Sequence, residues 1–271
     1  MNNNFSAFVN QCFDSPHLQC IDSGYMHFDK TWQYKNVTSP FTRLYFVEKG
    51  AGILTVGDKK IELKPNFAYL VPTNLKFDYS CDDYLVKSYF HLNLIDDAGF
   101  DIFKNVKEIK SVELSPEEIA EVTRFLNPPT LEDAFRLRRI IFATLEKLIR
   151  EITSPDYLYK TYSPLVESVV AYIKANLSNT LTAKMVAKHL FISESNLHKI
   201  FKSETGTPLG QYIDTLIFFN AQLMLSKTDR SLKDISEKLG FRDQFHFSRR
   251  FKELSGVSPS FYRKQQTLRE I

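Results

Sequence analysis

The chain is poor in the residues that most enzymes and secreted scaffolds depend on. It has only three cysteines in 271 residues, Cys12, Cys20 and Cys81. Their number is odd, they show no Cys-x-x-Cys spacing, and none stands with histidines as zinc ligands would, so they read as reduced thiols in a cytoplasm. Histidine is as scarce upstream: residues 1–160 hold only His17, His27 and His91, with no His-x-His. A metal enzyme needs several His and a carboxylate converging on one ion, so no metal and no other cofactor is expected. A Gly-x-Ser-x-Gly elbow is missing too. Gly52 to Lys59 has the outline of a phosphate-binding loop, but Asp58 stands where lysine is required and Ile53 to Val56 alternates as a strand. The expected protein is therefore not an enzyme. No apolar run approaches the ~18 residues that span a bilayer. "MNNNFSAFVNQCF" lacks the basic segment and apolar core of a secretory signal, so a cytoplasmic protein without membrane contact is expected.

What the chain does contain is a repeat. "MVAKHLFISESNLHKIFKSETG" (Met185 to Gly206) aligns with "ISEKLGFRDQFHFSRRFKELSG" (Ile235 to Gly256), pairing Val186 with Ile235, Leu190 with Leu239 and Phe201 with Phe251. In each copy an apolar stripe at helical spacing stops at a short connector. A second helix then starts at a good N-cap, Ser193 or Asp243. Both copies read as helix-turn-helix, whose second helix buries one side and frees the other for a major groove. The free side carries Ser195, Asn196, His198, Lys199 and Lys202 in copy one. In copy two it carries Gln244, His246, Ser248, Arg249 and Lys252, with Phe245 at the helix start facing a thymine methyl or a neighbouring helix. These groups suit base edges and phosphates. One such face alone could be ordinary solvated surface; two in register argue for double-stranded DNA as the partner.

Charge agrees with this placement. From Ser178 onward there are 15 Lys and Arg against 9 Asp and Glu, whereas the remainder has 20 against 23. The basic excess sits with the repeats, as in a nucleic-acid module. Between the copies, "PLGQYIDTLIFFNAQLMLSK" (Pro208 to Lys227) predicts one stiff helix opened by a first-turn proline. At 1.5 Å per residue it spans about 28 Å, close to the roughly 34 Å turn of B-DNA.

Residues 181–264 resemble the AraC/XylS family of bacterial transcription regulators. The resemblance rests on "LHKIFKSETGTPLGQYI" and "DISEKLGFRDQFHFSRRFKELSGVSPSFYRK", with Gly240-Phe241, the Phe247, Phe251, Lys252 run, and Gly256 three residues before Pro259. It implies base contacts from Ser195, His198, Lys199, Gln244, His246 and Arg249, and RNA polymerase as a further partner. It also implies an activator. One departure is Ile217, followed by Phe218 and Phe219, where the family usually has an arginine in the linker helix. That leaves open how the linker helix is anchored.

Upstream, residues from Leu18 to about Leu94 alternate as strands, with Gly57-Asp58 a two-residue hairpin loop. They predict a small antiparallel barrel or sandwich, and the resemblance implies a cupin-like barrel holding a small-molecule effector. Trp32, Tyr34, Arg43 and Tyr45 are the candidate effector contacts: rings to stack on a sugar or aromatic acid, and a guanidinium for a carboxylate or hydroxyls. Ordinary core and surface filling is the competing reading of each. Ser115-Pro116-Glu117-Glu118 starts one helix and Asn127-Pro128-Pro129 ends it; a second runs from Leu131 to about Ile152. Its apolar stripe is wider than one contact surface requires, which predicts a homodimer seam at Ile141, Leu145, Leu148 and Ile152, near heptad spacing with Ala134. The competing reading packs the extra face on the preceding helix of the same chain.

The expected fold class is α+β: an antiparallel cupin-like barrel with a helical dimerisation segment, then an all-α domain with two helix-turn-helix motifs. The expected domains are 1–155 for effector and dimer, a linker at 156–164 within "TSPDYLYKTYSP" (Thr153 to Pro164), and 165–271 for DNA. The alternatives are a regulator controlled by a partner or by no effector and, more weakly, a cupin-type metal enzyme.

Overall fold

The computed structural model describes residues 16–96, 98–126, 130–152, 162–255 and 257–267. Cys12, the Asn127-Pro128-Pro129 stop, Gly256 and most of the expected linker lie outside the described residues. The chain separates into two compact units, Met1–Leu158 and Tyr159–Ile271.

In the first unit a five-stranded antiparallel sheet has the order β1-β8-β3-β6-β9 and a four-stranded one the order β2-β7-β4-β5. The strands are β1 (His17–Asp29), β2 (Tyr34–Val37), β3 (Thr42–Gly50), β4 (Gly52–Val56), β5 (Lys59–Leu63), β6 (Phe67–Val71), β7 (Phe77–Ser80), β8 (Tyr84–Ile95) and β9 (Lys110–Glu113). No ladder joins the two sheets among the described residues, so the expected barrel is realised as a sandwich rather than a closed cylinder. The Gly57-Asp58 hairpin forms as expected, with Val56 opposite Lys59 and Gly57 at φ 57°. Asn66, beside Pro65, takes φ 65°, the left-handed region that asparagine tolerates.

Alternation sets which residues face which layer, because successive side chains of a strand point to opposite faces. On the larger sheet Leu44, Phe46, Leu70, Phe90 and Leu92 point one way, where they meet α1 (Pro116–Arg124) and α2 (Leu131–Arg150). Tyr45, Val47, Tyr69 and Val71 point the other way, toward Leu54, Leu63 and Phe77 of the smaller sheet. Both helices begin with capping boxes, Ser115 with Glu118 and Thr130 with Asp133. Lys147 Nζ donates to Glu118 at 2.8 Å and ties α2 to α1.

The expected dimer seam is corrected by this packing. Ile141, Leu145 and Leu148 are buried in the unit's own core, and Ile152 packs partly buried against it. A helix lying against both a sheet and a second helix needs a broader apolar face than one covering a single surface. The face that remains open is a different stripe, Leu131, Phe135 and Phe142, 78%, 66% and 40% exposed.

The second unit comprises α3 (Pro164–Ala175), α4 (Ala183–His189), α5 (Glu194–Thr205), α6 (Leu209–Lys227), α7 (Leu232–Lys238), α8 (Gln244–Ser255) and α9 (Pro259–Thr267). Pro208 stands at the N-cap of α6 rather than inside its first turn. α4 with α5 and α7 with α8 are the two expected helix-turn-helix pairs. Their turns are built alike: Phe191 and Gly240 take φ 54° and 75°, and the next residue donates back, Ile192 to Ala187 at 3.0 Å and Phe241 to Ser236 at 2.9 Å. Their surroundings differ. Phe191 is 95% exposed, whereas a Cβ on Gly240 would lie 2.0 Å from Ser178 Oγ, and Asn179 N donates to Leu239 O at 2.7 Å beside it.

Candidate nucleic-acid interface and interior cation site

Each second helix is held by its buried stripe, and that stripe decides what is left for a ligand. In α5, Leu197 and Phe201 are buried, and Phe201 meets Tyr212 of α6 with ring centroids 5.3 Å apart. In α8, Phe247 and Phe251 are buried, with Phe251 packed on Phe218 of α6 at 5.1 Å and on Tyr262 of α9 at 5.5 Å. Both helices start at side-chain caps: Ser193 Oγ accepts from Asn196 N at 3.2 Å, and Asp243 Oδ1 accepts from His246 N at 2.7 Å. The free amides at such ends are themselves fit for phosphate.

Ser195, Asn196, His198, Lys199 and Lys202 all lie exposed on α5. His198 Nε2 is 3.8 Å from Glu194. On α8, Arg249 and Lys252 are exposed, Gln244 and Ser248 are half-buried, and Phe245 is 76% exposed rather than packed on a neighbouring helix. His246 is also half-buried, its ring meeting Phe241 edge-on at 5.3 Å. Lys199 and Arg249 make no intramolecular ion pair among the described residues. Arg250, one residue on, is different. It donates to Asp214 of α6 at 2.7 Å and to Glu253 at 3.1 Å. Burial is the largest single influence on its pKa and lowers it, but the hydrogen bonds and charges of Glu253 and Asp214 together outweigh burial and leave the pKa raised. Sequence reasoning left the linker anchorage open at Ile217. The anchor consists of this ion pair together with the buried Ile217 and Phe218.

The four effector candidates of the first unit come together in part. Trp32 is buried and stacks on Tyr79 at 4.3 Å, and Tyr34, 59% exposed, leans on the same Tyr79 at 5.3 Å. Arg43 Nη1 donates to the hydroxyl of buried Tyr45 at 3.5 Å, and Nη2 to Ser39 Oγ at 2.7 Å. Sequence reasoning missed Lys87. It is 1% exposed, with its ammonium 3.3 Å from the ring centroid of Tyr45, 4.1 Å from Trp32 and 5.1 Å from Phe28. Burial, and then the charge of Arg43, hold its pKa well below the usual lysine range. The available signal was a lysine at an inward position of a strand apolar on both faces. His91 lies on the same strand, 3.5 Å from Asp22 and stacked on Phe41 at 4.7 Å, with burial holding its pKa well below the ordinary histidine value. No group of three or more His, Cys, Asp or Glu able to hold a metal occurs among the described residues. Nor is any helix among them long and apolar enough to cross a membrane.

Comparison with known proteins agrees with this arrangement. A family described as a helix-turn-helix domain matches residues 186–265. The activator AarP of Providencia stuartii is 33% identical over 105 residues, 39% of this chain and 78% of that protein. The raffinose operon regulator RafR of Pediococcus pentosaceus is 23% identical over 286 residues, 97% of this chain and 99% of its own. Among solved structures, ToxT of Vibrio cholerae with a bound unsaturated fatty acid is 14% identical and superposes with a TM-score of 0.59, over 89% of this chain and 94% of that one. That likeness establishes a shared fold.

Proposed function

Because the chain belongs to the AraC/XylS family of transcription regulators, we propose that it activates transcription by laying α5 and α8 into successive major grooves of an operator. The observation that carries this is the pairing of two exposed, cation-bearing helix faces at the same place in two repeats. They are joined by a helix, Leu209–Lys227, whose length of about 28 Å approaches one turn of DNA. In this reading Lys199 and Arg249 reach guanine edges or phosphates; Ser195, Asn196, His198, Gln244 and His246 read bases nearby; Lys202, Ser248 and Lys252 serve the backbone. Phe245, exposed at the groove end of α8, meets a thymine methyl. The test is selection of bound fragments from random DNA, followed by footprinting. Two protected elements with centres about 10 base pairs apart are expected, and a protein that enriches no sequence would refute the assignment.

Control comes from the first unit. RafR is named for a sugar operon and ToxT holds a fatty acid, which supports a small-molecule effector in this sandwich as well, between Trp32, Tyr34, Arg43 and Tyr45. The open stripe of Leu131, Phe135 and Phe142 supports a homodimer, whose two DNA-binding units gain affinity through effective concentration on adjacent half-sites. RNA polymerase is the partner that activation requires.

A further inference from the structure

Two basic side chains on one face of the larger sheet, the buried Lys87 and the half-buried Arg43, lie without a carboxylate partner. Arg43 of β3 and Lys87 of β8 meet the same side chain, Tyr45: Arg43 Nη1 donates to its hydroxyl at 3.5 Å and Lys87 Nζ lies 3.3 Å from its ring centroid, and neither forms a salt bridge with any Asp or Glu among the described residues. Arg43 Nε is buried with no hydrogen-bond partner, while Nη1 and Nη2 use a tyrosine and a serine hydroxyl. Its guanidinium lies 5.4 Å from the Phe41 ring centroid and 5.6 Å from that of Phe77. Lys87 has three rings around its ammonium and no carboxylate. Ring faces attract a cation, but a buried ammonium without an anion loses more in hydration than such faces return. A fold that served only stability would put methionine or leucine at this position.

The rings also lead outward. Tyr34 at the surface contacts Tyr79, Tyr79 stacks on Trp32, and Trp32 stands 5.3 Å from Phe28 beside the ammonium. Trp32 belongs to the short turn between β1 and β2. Asp29 holds that turn, accepting from Thr31 N at 2.8 Å and, through its carbonyl, from Trp32 N at 2.9 Å. Of the three rings around Lys87, Trp32 is the one carried by a turn, whereas Phe28 and Tyr45 stand on strands.

We propose that Lys87 and Arg43 are the anion-recognition pair of the effector site. The effector is then a small cyclic molecule bearing a carboxylate or a phosphate monoester, with the oxyanion between the two cations and the ring against Trp32. This rests on the reading of the sandwich as an effector site and names its ligand class. Lys87 supplies the point charge and Arg43 the directional donors that an oxyanion pairs with. Binding supplies the missing counter-charge, and Trp32 must shift to admit the ring. A signal therefore starts at the β1–β2 turn.

Trp32 is the single tryptophan of the chain, so its emission reports on the site directly. Full-length protein is titrated with glucuronate, glucose 6-phosphate and benzoate, and in parallel with neutral glucose and raffinose. At least one anionic probe is expected to change Trp32 emission and raise the melting temperature. The response should weaken at least tenfold in both Lys87→Met and Arg43→Gln and persist in the exposed-site control Lys60→Met. Glucuronate and glucose 6-phosphate separate carboxylate from phosphate. Without any ligand, Lys87→Met should melt higher than wild type, by roughly 2–4 °C, because a buried amine with no carboxylate partner is replaced by an apolar chain of similar shape. Silence of every anionic probe to 10 mM, or Lys87→Met melting several degrees lower than wild type, overturns the inference. If raffinose or glucose then still shifts wild type and Lys87→Met alike, the effector reading stands with a neutral ligand; if neutral probes are silent too, that reading falls with it.

Discussion

Arg249 and Arg250 are adjacent in the sequence, yet the structure predicts opposite consequences for their loss. Arg249 is exposed on α8 and has no intramolecular ion pair among the described residues, so its five donors are available to DNA. A bidentate arginine contact to guanine is worth about 1–3 kcal/mol of discrimination, so Arg249→Ala should weaken operator binding roughly 5- to 150-fold. If Arg249 instead meets a phosphate, affinity should fall for all sequences and the slope of log K against log salt should flatten by about 0.9. Either way the melting temperature should not move, because the side chain supports nothing in the fold. Arg250 is already engaged by Asp214 at 2.7 Å and Glu253 at 3.1 Å, in a pair about two-fifths exposed. Such a pair contributes at most about 1 kcal/mol, which in a unit of this size is a loss of up to about 5 °C. Operator affinity of folded Arg250→Ala should stay within about threefold of wild type, since the pair costs α8 at most a few tenths of a kcal/mol of orientation. Fluorescence anisotropy with a selected operator at two or more salt concentrations, beside differential scanning fluorimetry, reads both quantities. If Arg249→Ala binds like wild type while Arg250→Ala loses specificity, the assignment of the groove-facing side of α8 is wrong by one position and the packing argument behind it fails.

Leu145→Asp should unfold the first unit rather than yield a folded monomer, since a carboxylate would enter a site 1% exposed at a cost of about 4 kcal/mol or more; circular dichroism melts would show it. Phe135→Glu with Phe142→Glu should keep the fold and, in sedimentation velocity at micromolar concentration, convert a dimer to a monomer; a dimer that survives the pair removes this stripe from assembly. Gly240→Ala should cost about 1–3 kcal/mol through its positive φ and the contact with Ser178, whereas Phe191→Gly should be neutral or stabilising; urea titration distinguishes them. Asp243 is held below the ordinary aspartate range, first by the amide of His246. A carboxyl with a depressed folded pKa contributes stability that is complete above its unfolded value near 4 and lost as pH falls through the folded one. Melts of wild type and Asp243→Asn should therefore diverge in slope only below about pH 4.

Much of the second unit was legible because its information is local. Apolar residues at helical spacing, the caps Ser193 and Asp243, and the Gly240-Phe241 turn all act within a few residues, and the helices formed where those signals stand. The Gly57-Asp58 hairpin was readable for the same reason. What was not legible depends on partners distant in sequence. A wide stripe on α2 shows that more than one surface covers it but not which; the sheet and α1 cover Ile141, Leu145 and Leu148. Alternation in β3 and β8 could not say that the sheets would leave their edges unjoined, nor that Lys87 would be enclosed by Tyr45, Trp32 and Phe28 from three separate strands and turns. The anchoring of α6 escaped for a related reason: Asp214 and Arg250 are 36 positions apart.

The unequal surroundings of the two helix-turn-helix corners bear on how such a protein can be altered. The corner at Phe191 opens to solvent, so insertions or new side chains there meet no obstacle. The corner at Gly240 is walled by Ser178 and Asn179, which precede the first repeat in the chain. The later repeat thus leans on a segment made before the earlier one. An engineer could graft a new specificity onto α5 with its corner intact, but excising the second repeat as a portable cassette would strip away the wall that keeps its corner closed.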